Sequence, residues 1–299
     1  MVAALTRAVL TLAAVVTGVF LLTALLPQDA AQILAGRQAD PSRVTALRVE
    51  LGLDRPWWAR FLSWLAGLFQ GDLGKSYVDG RPVGPSLAER LGASALIVVP
   101  AWVLAVVAGV LVALVVARHA AGSAAVAAFS ALPEVVLVSG LVLAFATGLG
   151  RLPAVSLLPV GGSAWDAPEV LVLPILALAL PSAAWLARSV RGPVTDVLGR
   201  PFVVDAHLRG VSPARIAVRH VLPHVAGPVA QGAAILAGSL LAGTTVVESL
   251  LAYPGLGQLL ATAVATRDVP VIQAVALVDA AVVLVAVLAA DGIAKAGAR

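Results

Sequence analysis

The chain contains no cysteine, one methionine and four histidines in 299 residues. Without cysteine there is no disulfide framework, iron–sulfur cluster or thiol nucleophile, and few soft ligands remain for a metal. Charge is scarce as well: 12% of residues are charged and 60% hydrophobic, with a mean hydropathy of +0.99. A soluble chain is roughly half apolar and a quarter charged, so this one cannot cover a water-facing globule. An ordinary soluble enzyme, a nucleic-acid reader and a disordered chain are excluded. The apolar runs are continuous where an outer-membrane barrel would alternate, which disfavours that class too. The pI is near 10.3, but 20 basic residues face 16 acids, so their placement speaks to membrane orientation and not to a nucleic-acid partner. What remains is an all-α integral membrane protein.

Six apolar stretches approach the roughly 20 residues a spanning helix needs: Ala8–Leu26, Gly92–Ala117, Gly122–Gly150, Val170–Ala187, Val225–Leu251 and Val269–Ala290. Within them the acids are Glu134, Glu248 and Asp279. The fourth is the shortest and carries Pro174 and Pro181. The first exceeds a secretory signal core and lacks a small-residue cleavage site, so it is expected to be retained. With the N-terminus inside, the cytoplasmic segments hold Arg7, Arg118, six arginines from Arg188 to Arg219, Lys295 and Arg299. The short outer loops hold only Arg151 and Arg267. The long segment Pro27–Leu91 mixes eight basic residues with seven acids, and long segments translocate largely regardless of charge. The expected topology is six transmembrane helices, N-in/C-in, divided as 1–26, an extracytoplasmic segment 27–91 and a core of five helices, 92–299.

In the second span Ala101, Ala105, Gly109, Ala113 and Ala117 put small side chains on one helix face, where backbones can approach closely. Such a ladder serves packing within the bundle or a subunit interface. In the outer segment Asp40-Pro41 is a helix start, Val44, Leu47 and Leu51 share a face, and Gly52 stops the helix. Pro56–Leu65 is amphipathic and rich in Trp, suited to lying flat at headgroup depth.

The segment 188–224 reads as a cytoplasmic knob. Pro201 opens a short helix that Gly210 ends with a left-handed residue. Ser212 caps and Pro213 starts a second helix, which Leu222-Pro223 closes before the fifth span. The six arginines also fit a solvated basic face drawn to anionic lipid.

Three local patterns lead nowhere. Gly74-Lys75-Ser76 ends like a phosphate-binding loop, but Phe69 stands where the first glycine is needed. His220 and His224 have zinc-ligand spacing, with Val221 in place of the catalytic Glu. Gly255-Leu256-Gly257 lacks the third glycine of a dinucleotide fingerprint. No catalytic or metal-binding constellation emerges, and no histidine lies within a span, as an intramembrane hydrolase would need.

The knob resembles the coupling motif of binding-protein-dependent ABC importer permeases, which runs E-A-A, three residues, Gly, nine residues, I-x-L-P. Here it reads Val204-Asp205-Ala206, Gly210, nine residues, then His220-Val221-Leu222-Pro223. Phe202-Val203-Val204-Asp205-Ala206 is similar to the opening found in peptide-type permeases. Glu50-Leu51-Gly52-Leu53-Asp54-Arg55-Pro56, Gly71-Asp72-Leu73-Gly74-Lys75-Ser76 with Pro82-Val83, Val247-Glu248-Ser249-Leu250-Leu251-Ala252-Tyr253-Pro254-Gly255-Leu256-Gly257, and Arg267–Gln273 resemble, in order, motifs of the first permease of the dipeptide/oligopeptide/nickel class. Leu251 stands where an aromatic is expected.

The resemblance implies a type I importer-like permease in the bacterial cytoplasmic (inner) membrane. Its partners would be a second homologous permease, two ATP-binding subunits and an extracytoplasmic substrate-binding protein. ATP and Mg would be bound by the ATPase subunits, with no cofactor in this chain. Phe202, Val204, Asp205, Ala206, Gly210, Leu222 and Pro223 would couple to an ATPase. Di- or oligopeptides are the expected cargo; nickel or a metal chelate is the alternative, and an ATP-independent channel or carrier a further one. Glu248, Tyr253, Pro254, Gly255 and Gly257 are expected at the outer mouth, in a tight turn dipping towards the pathway with Tyr253 lining it. Glu248 is placed either at headgroup depth or in a contact with a gate or with the binding protein. Asp279 lies ten residues, about 15 Å, into its span, and Glu134 at comparable depth in its own. An ionised acid facing lipid costs a few kcal/mol, so each either bonds a neighbouring helix or the partner permease, lines the pathway, or is kept protonated.

Overall fold

Backbone amides inside a bilayer must pair within the chain. In the computed structural model, which describes residues 2–24, 30–36, 39–117, 120–157 and 166–297, they do so almost wholly as helix. The helices are α1 (Val2–Ala24), α2 (Ala30–Ala35), α3 (Pro41–Glu50), α4 (Trp57–Phe69), α5 (Val83–Val116), α6 (Ala120–Ser130), α7 (Glu134–Leu141), α8 (Glu169–Leu198), α9 (Pro201–Leu208), α10 (Pro213–Ile216), α11 (Leu222–Leu250), α12 (Leu256–Thr266) and α13 (Val269–Gly297). The wider π-helical turns Val142–Gly148 and Ala217–Val221 prolong α7 and join α10 to α11. Leu26, Arg118 and Arg299, which entered the span and orientation arguments, lie outside the described residues.

Among the described residues four helical runs are long and apolar enough to span a membrane: α5, α8, the continuous 213–250 run and residues 269–290 of α13. The described apolar stretch of α1, Leu10–Ala24, is shorter. The expected third span is not one straight helix. Gly122–Ser130 and Glu134–Gly148 meet at 99°, because Pro133 has no N–H and forces Leu132 out of the helical region. Counting residues along an axis therefore does not give the depth of Glu134, which is the first residue of α7. The fourth span is longer than expected. Pro174, Pro181 and Pro193 all sit inside α8, whose inner face is the best buried of any span; neighbouring helices make interior prolines tolerable. Nor does Leu222-Pro223 close a helix. The π-turn at Ala217–Val221 absorbs the missing Pro223 N–H, and the helix continues.

The chain forms two units, Met1–Ser94 with Pro254–Ala281, and Ala95–Tyr253 with Val282–Arg299. In the first, α3 begins as expected, with Asp40 Oδ1 accepting the Ser42 N–H at 3.2 Å. It ends in a Schellman turn at Gly52 (φ +66°), where the Leu53 N–H bonds the Arg48 carbonyl at 2.8 Å. On α4, Phe61 and Trp64 pack on Phe20 of α1, with ring centroids 5.0 and 5.6 Å away, while Trp57 and Trp58 are exposed. Buried Gln273 donates to Thr23 Oγ1 at 2.9 Å, and the Ser94 hydroxyl caps α12 by accepting the Leu256 N–H at 2.7 Å.

In the second unit α8 is central, with α5, α6, α7 and α11 against it. All five small residues of the α5 ladder are buried, so the ladder packs within the chain. A Cβ at Gly109 would lie 2.9 Å from both the Ala183 carbonyl and Leu186 Cβ. At Gly232 of α11 an added Cβ would collide with Leu186 Cδ1. Fully buried Leu186 thus fills a socket between two glycines. The Trp102 indole N–H reaches the Ala233 carbonyl at 2.7 Å and ties α5 to α11.

Gly109→Val overpacks this contact and should cost about 1–3 kcal/mol, lowering the thermal midpoint of the purified protein by several degrees. Gly192→Ala, on an exposed position with no heavy atom within 4 Å of the added Cβ, is the control and should leave it unchanged. Equal midpoints in the two variants would contradict the packing assignment.

Candidate functional site

The knob folds largely as its sequence suggests. Pro201 starts α9, and Gly210 (φ +75°) reverses the chain after Arg209. Pro213 is the first residue of α10, but the Ser212 side chain makes no capping bond. Val203, Ala206, Ile216 and Val221 are buried and belong to the same core as Leu186. The other face of α9 points away from that core. Phe202 is 37% exposed, Val204 46% and Leu208 83%. The Phe202 ring stacks on His224 at 4.9 Å, and exposed Asp205 pairs with Arg209 at 2.6 Å. Leu222 and Pro223 are the first two residues of α11. Phe202, Val204, Asp205, Ala206 and Gly210 are therefore brought together on one short element, and Leu208 joins them.

The 248–257 segment departs from expectation. Glu248 and Tyr253 are fully buried within the chain, and neither is exposed on its surface in this conformation. The left-handed residue of the turn is Ala252 (φ +54°), and no glycine supplies it. The Tyr253 N–H closes the turn on the Glu248 carbonyl at 2.9 Å, and the Ser156 N–H ties it to the Leu251 carbonyl at 2.6 Å. Pro254 is partly buried, Gly255 is extended at the N-cap of α12, and Gly257 lies inside that helix. Glu134 meets α11 at Gly243, where an added Cβ would stand 2.7 Å from its Oε1. Asp279 is partly buried on α13, in the other unit.

In the first unit two of the quoted motifs converge. Asp268, almost wholly buried, accepts the Ser76 hydroxyl through Oδ2 and the Tyr77 N–H through Oδ1 at 3.0 Å. Arg267 (φ +58°) ends α12 and turns Asp268 inwards, where its N–H bonds the Ala263 carbonyl at 2.8 Å. The opposite side is a tight hairpin. Gly74 (φ +84°) donates to Asp72 Oδ1 at 2.8 Å, and the Ser76 N–H bonds the Arg81 carbonyl at 2.9 Å. The backbone N–H of Arg81 also reaches Asp79 Oδ1 at 3.0 Å and holds that carboxyl below its ordinary pKa. Beside the hairpin lies a cleft of about 480 Å³ that includes Asp79, Arg81, Glu89, Thr262 and Thr266.

Two family models tile the chain. The binding-protein-dependent transport system inner membrane component matches residues 105–299, and the N-terminal model of the same transport-system component matches residues 1–98. The chain belongs to this family of inner-membrane components. The glutathione transport system permease protein GsiC of Escherichia coli (strain CFT073) is 34% identical over 263 residues, 86% of this chain and 83% of its own. A Brucella abortus (strain 2308) protein assigned by name to a peptide transport system permease is 33% identical over 260 residues, 85% of this chain and 83% of its own. In fold, the chain is similar to one in a structure of the MetNI methionine ABC transporter in inward-facing conformations. That likeness has a TM-score of 0.56 at 20% identity and covers 71% of this chain and 96% of the other.

The protein is thus a permease subunit of a binding-protein-dependent ABC importer, a multi-pass protein of the bacterial inner membrane whose family implies ATPase and substrate-binding partners. Two features of the permease escaped the sequence. The Asp268–Ser76 bond joins residues 192 positions apart, and only the co-occurrence of two motifs hinted at it. The exposure of Leu208 is set by which face of α9 the core claims, and eight residues give too few turns to read that.

Asp268→Ala leaves the Ser76 hydroxyl and the Tyr77 N–H without their acceptor, a loss of about 2–3 kcal/mol. Trypsin should then cut the hairpin after Lys75 at least several-fold faster than in wild type. Unchanged cleavage kinetics would contradict the role given to Asp268.

Proposed function

We propose that this permease moves di- or oligopeptides into the cytoplasm along a pathway formed with a second homologous permease, and that segment 188–224 docks on one of two ATP-binding subunits. Those subunits bind ATP and Mg and hydrolyse the nucleotide, and a binding protein delivers cargo from outside. The arrangement is type I importer-like, with α1 counted among six spans, both termini cytoplasmic, and 27–91 outside with α4 at headgroup depth.

The observation that carries the docking is the outward face of α9. Val204 and Leu208, one turn apart, are exposed on a helix whose Val203 and Ala206 are anchored in the core, with Phe202 part-exposed to one side against His224. Apolar side chains grouped at a protruding tip mark a protein contact. The Asp205–Arg209 pair beside them supplies charge to orient it. The helices α8 and α11 lead into and out of the knob, so a push on α9 is delivered to the central helices of the second unit. Peptide cargo is supported by the relatives, named for glutathione, itself a tripeptide, and for peptide transport. Within the pathway, Glu134 and Asp279 are the side chains able to meet cargo. The turn of Glu248, Tyr253, Pro254, Gly255 and Gly257 supports the pathway wall from within the protein.

Gly210→Val places a β-branched residue at φ +75°, a strained conformation. ATP-driven uptake by the reconstituted transporter should fall at least tenfold. Asp205→Lys breaks the pair with Arg209 and reverses a charge at the contact, and should reduce the ATPase subunits that copurify. Normal uptake and normal copurification in both variants would contradict the docking. If the arginines serve only to hold anionic lipid, uptake will instead follow lipid composition and ignore both substitutions.

A further inference from the structure

The 99° break before α7 does more than bend a span. It opens a cleft of about 270 Å³ in the second unit, walled by the end of α6, the start of α7, and α8 and α11. Its polar groups are Glu134, Ser130, Ser182 and Ser239, with Trp185 forming an aromatic wall. Two of the three serines spend their protons on the backbone. The Ser130 hydroxyl donates its proton to the Ala127 carbonyl at 2.9 Å, and Ser239 donates to the Leu236 carbonyl at 3.2 Å. Both oxygens are left with lone pairs to offer. An ionised Glu134 is acceptor-only as well. Among the described residues no basic side chain pairs with it, although an uncompensated acid in an apolar span is costly. The site is rich in acceptors, holds a carboxyl group and has an aromatic wall.

We propose that this cleft is a subsite for a primary ammonium group, the amino terminus of the peptide cargo, on its way through the permease. An ammonium brings three donors and one positive charge, matching the Glu134 carboxylate and the two serine oxygens. Gly243 is part of the design: any side chain there would strike Glu134 Oε1 and push the carboxylate out of place. The cargo's identity rests on the peptide reading above. The existence of a water-accessible cation site does not.

The native chain has no cysteine, so an introduced thiol reports alone on this subunit. The experiment places Ser182→Cys, and separately Ser239→Cys, in the complete reconstituted transporter. Labelling rates are then measured with trimethylammonium-ethyl and sulfonato-ethyl methanethiosulfonates, reading this chain by mass spectrometry. With each rate normalised to that reagent's rate with a free thiol in solution, a nearby carboxylate should favour the cationic reagent by about tenfold or more, and Glu134→Gln should bring the normalised ratio close to one. A ratio that Glu134→Gln does not change overturns the proposal. So does failure of both thiols to react in a complex that hydrolyses ATP, since the cleft is then closed to water by lipid or a partner. A second arm compares uptake of one peptide with a free and with an acetylated amino terminus. Wild type should prefer the free amine, and Glu134→Gln should lose that preference. If labelling follows Glu134 and neither peptide enters, the cation site stands and the peptide reading falls. If wild type imports peptide and Glu134→Gln keeps the same preference, the subsite has no part in transport.

Discussion

Helices in lipid gain little from burying apolar surface against one another, because the tails are as apolar as the side chains. They hold together where backbones come close enough for dense van der Waals contact, and that requires small residues in register with a large one. Leu186 is that large residue here. It is fully buried, with Gly109 of α5 on one side and Gly232 of α11 on the other, and neither position has room for a Cβ. The same device recurs where Gly238 meets Val283 and where Gly243 receives Glu134. With 27 glycines in the chain and only 12% of its residues charged, the second unit is organised by steric fit.

The knob inherits its rigidity from that fit. Val203, Ile216 and Val221 share one core with Leu186, Val190 and Val194, so α9 and α10 are outgrowths of the packed helices and not a loose loop. The π-turn at Ala217–Val221 lets Pro223 sit within a continuous 213–250 helix. A stiff element carries displacement, whereas a hinge would dissipate it, and on this account the Gly210 turn supplies a fixed angle and no flexibility.

Much of this was legible in the sequence, for definite reasons. The α5 ladder is strictly periodic, and every member is buried. The Asp40-Pro41 start, the Gly52 stop and the Pro201, Gly210 and Pro213 punctuation act through local backbone chemistry that no distant contact overrides. What the sequence concealed was non-local. Glu248 and Tyr253 read as exposed from their motif, and only the turn through Ala252 shows that they are buried within the chain. The bend at Pro133 could not be told from the tolerated prolines of α8, because neighbours decide whether a proline breaks a helix or is absorbed. Nothing in Gly-Asp-Leu-Gly-Lys-Ser announces that its serine will be held by Asp268. The depth assigned to Glu134 rested on a straight helix, which the 99° bend replaces.

The central claim is that the exposed face of α9 is the mechanical contact with the ATPase, and Leu208, the most exposed member of that face, tests it most directly. A photo-reactive amino acid at position 208 of the assembled transporter, irradiated during turnover, should crosslink to an ATP-binding subunit. The same probe at exposed Val285 on α13 should give no such product. Crosslinks from position 208 only to lipid, in a complex that still imports cargo with ATP, would contradict the account.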